Sequence, residues 1–209
     1  MRDFVVGITG ASGAVYARRL LERLTQDDAD AHVHLVISPH GRRILADELG
    51  LAAPSPTSLV GAAADRVTAY DCADVGCVLA SGSFRTDGMV ICPCSSNTLA
   101  SVAAGLADNL ITRAAYVTLK ERRRLVLLHR EMPVTAIDLR NMLEVSRAGA
   151  IVCPASPGFY HGPQSVEDLV DFVVGRLLDL LGVRHGLDTR WSGAPPRRLG
   201  PERQAGGSS

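Results

Sequence analysis

A chain of 209 residues, 46% of them hydrophobic, carries enough apolar surface for one domain with a full core. Its 22 basic and 22 acidic residues cancel. No general field therefore draws it to nucleic acid or to an anionic membrane, and any anion it binds must be held by local groups. No apolar run reaches the roughly 18 residues of a membrane span, and the N-terminus enters a strand-like stretch almost at once, so neither a leader nor a span is expected. Five cysteines, an odd number, suit free cytosolic thiols better than a disulfide framework, and a cytoplasmic location follows as an expectation.

In chain order, Phe4–Thr9 (FVVGIT) is a β-branched apolar run that predicts a strand ending in a glycine turn. Residues 14–26 place Ala14, Ala17, Leu20, Leu21 and Leu24 at helical spacing. A strand over His32–Ile37 and a helix over about 40–50 follow. Met89–Cys92 is a third strand, with helices across about 97–105 and 109–121. Leu125–Leu128, a helix near 136–147, Ala150–Cys153 and a helix over 165–181 complete the series. From about Ser192 the sequence SGAPPRRLGPERQAGGSS is too poor in core formers to offset its ordering entropy. One domain over residues 1–187 and a flexible tail over 188–209 are expected.

Short apolar strands alternating with helices predict a parallel sheet covered on both faces. The expected fold is therefore α/β, a Rossmann-like doubly wound sheet in three layers. Ligands of such sheets bind outside the carboxyl ends of the strands. The segments after the strands are where chemistry is to be sought.

After the first strand stands Gly7-Ile-Thr-Gly10-Ala-Ser-Gly13-Ala14. Glycines admit a ligand to the backbone, Thr9 or Ser12 can donate a hydroxyl, and the following helix is expected to offer free N–H groups to an anion. This is not the dinucleotide spacing, so the loop is a weak signal by itself, and a tight turn with no ligand is the lesser reading. The second strand ends in Ile37-Ser38-Pro39-His40, without the ribose-binding carboxylate of dinucleotide folds, which favours a mononucleotide such as FMN over NAD. Ser38 reads equally as a ligand hydroxyl or as a helix cap. Cys92-Pro-Cys94-Ser95-Ser96-Asn97-Thr98 sets four hydroxyl or amide side chains before a helix start. A metal site on its two cysteines is disfavoured, because no partner pair stands at ligand spacing and buried thiols explain them. His129-Arg130-Glu131 offers a cation and a carboxylate at a strand end, although on spacing alone a solvated surface pair is the stronger reading, and Pro154–His161 is a stiff loop carrying the Tyr160 phenol.

On the last helix Arg176 borders the apolar stripe and is expected to turn inward toward an anionic partner, unless it snorkels to solvent. Arg113 and Lys120, seven residues apart on one helix face, are expected to join Arg130 and Arg176 in a cationic pocket.

Taken in order, ITGASGA (8–14), VIS (36–38), SGS (81–83), MVICPCSSNTLA (89–100), LKERRRLVLLHRE (119–131), NML (141–143), AGAIVCPASPGFY (148–160) and SVEDLVDFVVGRLLDLLG (165–182) resemble the UbiX-like flavin prenyltransferases. The resemblance implies that Gly10, Ala11, Ser12, Ser38, Ser95, Ser96, Asn97, Thr98 and Arg130 bind FMN. It implies that Tyr160 and Arg176, with Lys120 and a neighbouring subunit's Arg113, hold the phosphate of dimethylallyl monophosphate. Ser81, Arg130 and Glu131 would also line the substrate site, and Ser12, Glu48, Lys120 and Glu131 would be catalytic. The implied activity joins a dimethylallyl group to N5 and C6 of reduced FMN, without metal, and delivers prenylated FMN to a UbiD-type decarboxylase. A homododecamer is implied as well.

Asp27-Asp28-Ala29-Asp30 falls short of the aspartate motif of magnesium-dependent prenyl transfer. Two rival readings share the fold. A flavin-dependent cysteine decarboxylase would need a P-x-M-N-x-x-M-W segment, and only Asn141-Met142-Leu143 is present. A non-catalytic flavin carrier would not need Lys120, Glu131, Tyr160 and Arg176.

Overall fold

A computed structural model describes residues 2–28 and 30–187. The tail expected over 188–209 lies outside the described residues. Six strands, β1 (Arg2–Ile8), β2 (Ala31–Ile37), β3 (Val67–Tyr70), β4 (Gly88–Cys94), β5 (Leu125–His129) and β6 (Ile151–Pro154), form one sheet in the order β3-β2-β1-β4-β5-β6. Every pairing is parallel, with Ile8 opposite Ile37 and Val6 opposite Val90.

The pleat divides the apolar runs between two cores. Phe4, Val6 and Ile8 face α1 (Ala14–Asp27) and α7 (Val166–Leu181), together with Val33, Leu35, Val126 and Leu128. Val5, Met89, Ile91, Leu125 and Leu127 face α4 (Ser96–Ala103) and α5 (Leu110–Lys120). Burial on both faces is why these strands read as continuous apolar runs rather than alternating ones. Leu20, Leu21 and Leu24 of α1 are fully buried, each contributing roughly 1.5–3 kcal/mol by leaving water.

The remaining helices are α2 (Pro39–Leu49), the short α3 (Pro56–Val60) and α6 (Ala136–Ala148). Elements expected from periodicity appear within a residue or two of their expected bounds. The strand β3 and helix α3 are additions. The edge strand VTAY buries only Val67, so it leaves no apolar run to be read.

Candidate active site

The chain winds outward from β1 through β2 to β3, then returns to place β4 on the other side of β1. The connections leaving β1 and β4 therefore diverge, and a cleft must open between their carboxyl ends. Thr9 fastens its base. Its hydroxyl donates to the Pro93 carbonyl at 2.8 Å and accepts from the Ser95 N–H at 2.9 Å. Its one hydrogen is used inside the protein, so Thr9 braces the cleft it helps to line rather than donating to a ligand. The cleft, about 420 Å³, is lined among others by Gly10, Ser38, Ser95, Asn97, Thr98 and Asn109.

Several of these residues also start helices. Ser38 caps α2 by accepting from the Gly41 N–H at 3.0 Å, and Ser95 caps α4 by accepting from the Thr98 N–H at 3.2 Å. Cap and cleft lining are thus the same residues, because a strand's carboxyl end and the next helix's N-terminus coincide there. Gly41 is required by close approach: a Cβ there would stand 2.5 Å from the Ile8 carbonyl oxygen.

The glycine loop corrects one expectation. Gly13, at φ 118°, starts α1 without a side-chain cap of its own. The N–H groups of Gly13 and Ala14 are not free for an anion. They donate to the Glu48 carboxylate at 2.9 and 2.8 Å, an arrangement the positive end of the helix favours. Arg130 holds the other side of the loop, its Nε donating to the Ser12 carbonyl at 3.2 Å. Ser12 itself is exposed and Ala11 buried.

Ser96 differs from its neighbours. Its hydroxyl lies 3.1 Å from His129 Nε2, beside the Asp138 carboxyl, which Thr135 above all, with help from Ser96, holds down at a pKa of about 2. Glu131 is exposed at the end of β5, its carboxylate accepting from the Met132 N–H at 3.1 Å. The thiols of Cys92 and Cys94 are fully buried, and burial pushes Cys94 up to about 12 and Cys92 well above its usual value. Both stay protonated at neutral pH, a poor state for metal ligation.

The expected cationic pocket is not assembled within one chain. Arg113 donates from Nε to the Ala80 carbonyl at 3.1 Å. Lys120 ion-pairs with Glu121 beside Gly82, so Ser81, Arg113 and Lys120 share one flank of α5. That helix runs from Asn109, at the cleft, toward the start of β5. At 1.5 Å per residue, Lys120 lies about 16 Å below the cleft. Arg176 does not turn inward either: it is exposed, with its guanidinium 3.2 Å from Asp179 on the same helix. It still borders the carboxyl end of β6, near Cys153, whose thiol burial pushes up against the smaller opposing pull of Arg176. Tyr160 is 63% exposed on the loop leaving β6, its ring edge-on to Phe172 of α7 at 5.7 Å.

Residues 1–178 match the Flavoprotein family. The chain is 48% identical over 194 residues to the flavin prenyltransferase UbiX of Pseudomonas aeruginosa, covering 89% of this chain and 92% of that protein. It belongs to the UbiX family of flavin prenyltransferases. The crystal structure of AnUbiX (PadA1) in complex with FMN and dimethylallyl pyrophosphate superposes with a TM-score of 0.83 at 44% identity, covering 93% of this chain and 99% of that one. A dodecameric FMN-dependent UbiX-like decarboxylase from Escherichia coli O157:H7 gives 0.84 at 42%, covering 91% and 100%. A phosphopantothenoylcysteine decarboxylase, at 21% identity and a TM-score of 0.56, shares the fold alone.

The cleft fits the flavin of the UbiX family on its own chemistry. Its volume lies in the range of cofactor sites, about 300–1,000 Å³, and its donors are neutral hydroxyls and amides suited to a ring edge and a polyol. Sequence reasoning missed Asn109, Cys72 and His129 at or beside this site. Asn109 was legible as a cap, since Asn109 and Thr112 form a reciprocal capping box at the start of α5. Cys72 reaches the cleft through the unforeseen edge strand and left no local signal.

Proposed function

We propose that the protein transfers a dimethylallyl group from dimethylallyl monophosphate to N5 and C6 of reduced FMN. The prenylated flavin then leaves for a UbiD-type decarboxylase, and the working form is a cytoplasmic homododecamer. The observation that carries this reading is the switch-point cleft, where Ser38, Ser95, Asn97 and Thr98 stand around a loop pinned by Glu48 and Arg130.

Reduced FMN, when bound, supplies the electron-rich ring that receives the prenyl carbon. In this reading Gly10, Ala11, Ser12 and Ser38 seat the flavin on one side, and the first turn of α4 and Arg130 on the other. Arg176 and Tyr160 hold the departing phosphate, with Arg130, at about 1.5–3 kcal/mol per charged hydrogen bond. Arg113, Lys120 and Ser81 complete the phosphate site from a neighbouring subunit, which is the role their distance from their own cleft supports. The outward apolar residues Met132, Ile137 and Leu139, exposed at 86%, 67% and 55%, support extensive subunit contact. Glu131 would relay a proton during ring closure, in which C6 loses one and the prenyl alkene carbon gains one, and Glu48 and Ser12 keep the glycine loop shaped around the reacting centre.

Transfer without metal is supported by the placement of the aspartates. Asp27 and Asp28 are ion-paired with Arg23 and Arg2 at 3.0 and 2.9 Å, at the end of α1 remote from the cleft.

The test is anaerobic incubation with reduced FMN and dimethylallyl monophosphate, followed by the mass of the released flavin. A five-carbon adduct is expected. Tight binding of unmodified flavin would reduce the protein to a carrier and sink the transferase reading.

A further inference from the structure

His129, the last residue of β5, is 3% exposed and lies where the first turns of α4 and α6 meet. Its Nε2 is 3.1 Å from Ser96 Oγ, and Ser96 lies beside Asp138 and helps Thr135 hold that carboxyl low. Asp138 accepts from the Thr135 N–H at 2.8 Å and the Thr135 hydroxyl at 2.7 Å, closing the capping box of α6. The neighbouring carboxylate favours one arrangement of hydrogens. An ionised Asp138 only accepts, which draws the single Ser96 hydroxyl hydrogen toward it. The Ser96 oxygen then accepts from His129 Nε2–H at 3.1 Å. A neutral imidazole meets that requirement, and burial lowers the His129 pKa accordingly.

We propose that His129 is a positioning residue for the flavin seat, acting through Ser96 to fix the first turn of α4 so that Ser95, Asn97 and Thr98 face the cleft. This rests on the reading of that cleft as the flavin site. It also changes the part of Ser96, whose hydroxyl is held by His129 behind the cleft and so works as a tether rather than as a flavin contact. An apolar side chain would fill the position without desolvating an imidazole, so the cost of burying histidine here is offset only by the bond it makes.

A double-mutant cycle on FMN affinity tests this, read by quenching of flavin fluorescence with thermal unfolding recorded on each variant. His129→Phe keeps the volume and removes the donor, His129→Gln keeps a donor, and Ser96→Ala removes the acceptor. His129→Phe and Ser96→Ala are each expected to weaken FMN binding about three- to tenfold, the effect of one hydrogen bond. His129→Gln should recover most of the loss, and the double variant H129F/S96A should bind no worse than either single. Additive losses, or wild-type affinity in H129F, would overturn the proposal. Should H129F not fold, equal affinities of S96A and S96A/H129Q support it, and a further loss in the latter overturns it. A wild type that binds FMN yet yields no five-carbon adduct would remove the proposed reaction and leave this cycle to decide the role of His129.

Discussion

Thr9→Val removes one hydroxyl from the base of the cleft and leaves the shape of the side chain unchanged. Thr9 is 2% exposed, and its Oγ1 bridges β1 to the turn after β4 through Pro93 and Ser95. The Pro93 carbonyl keeps the Thr9 N–H at 3.2 Å, so on that side one neutral hydrogen bond is lost, about 0.5–1.5 kcal/mol. The Ser95 N–H loses its acceptor in a partly buried setting, which costs about 1–3 kcal/mol. The sum is about 1.5–4.5 kcal/mol. A domain of this size loses about 2–4 °C per kcal/mol, so the Tm should fall by about 3–18 °C. FMN affinity should fall with it, because Ser95 starts the helix that lines the cleft. Thr9→Ser keeps both bonds and should restore both quantities. Calorimetry and flavin titration of the three proteins decide the matter: T9V melting within about 2 °C of wild type, or T9S as damaged as T9V, would refute the brace.

Arg176→Ala should cost no more than about 0.5 kcal/mol of stability, since its pair with Asp179 is exposed. It should raise the KM for dimethylallyl monophosphate and spare FMN affinity, and equal loss of both would mark the arginine as structural. If Lys120 serves a neighbour's cleft, mixed oligomers of K120A and R176A should turn over faster than either parent, whereas sites built within one chain would leave the mixture at the average of its parents. Burial lowers the pKa of both His34 and His129 from the ordinary 6.5. The unfolded chain then binds more protons than the native one below that value, so their contribution is complete above about pH 6.5 and is lost as pH falls through the lowered native values. A Tm series from about pH 7 to 5 should decline, and a rise on acidification would contradict the assignment of both histidines as neutral.

Local pattern carried the architecture because burial on both faces leaves continuous apolar runs such as Phe4–Ile8, and helices leave capping residues at fixed offsets. From these the parallel sheet, its two covering layers and the importance of the strand ends were legible. The rank of Ser38, Ser95 and Asn97 as cleft residues followed from their place after strands. The partners of each side chain depend on elements far apart in sequence, so no local pattern encodes them. Glu48 reaches α1 from 34 residues away and fills the helix end that looked open to an anion. Asp179, one turn along the same helix, takes Arg176 at the surface, and α5 carries Lys120 away from its own cleft. His129 meets Ser96 across 33 residues. Composition and periodicity determine which faces are buried and hence the sheet. Only the packed structure decides which polar groups are already satisfied within the chain and which remain for a ligand or a neighbouring subunit.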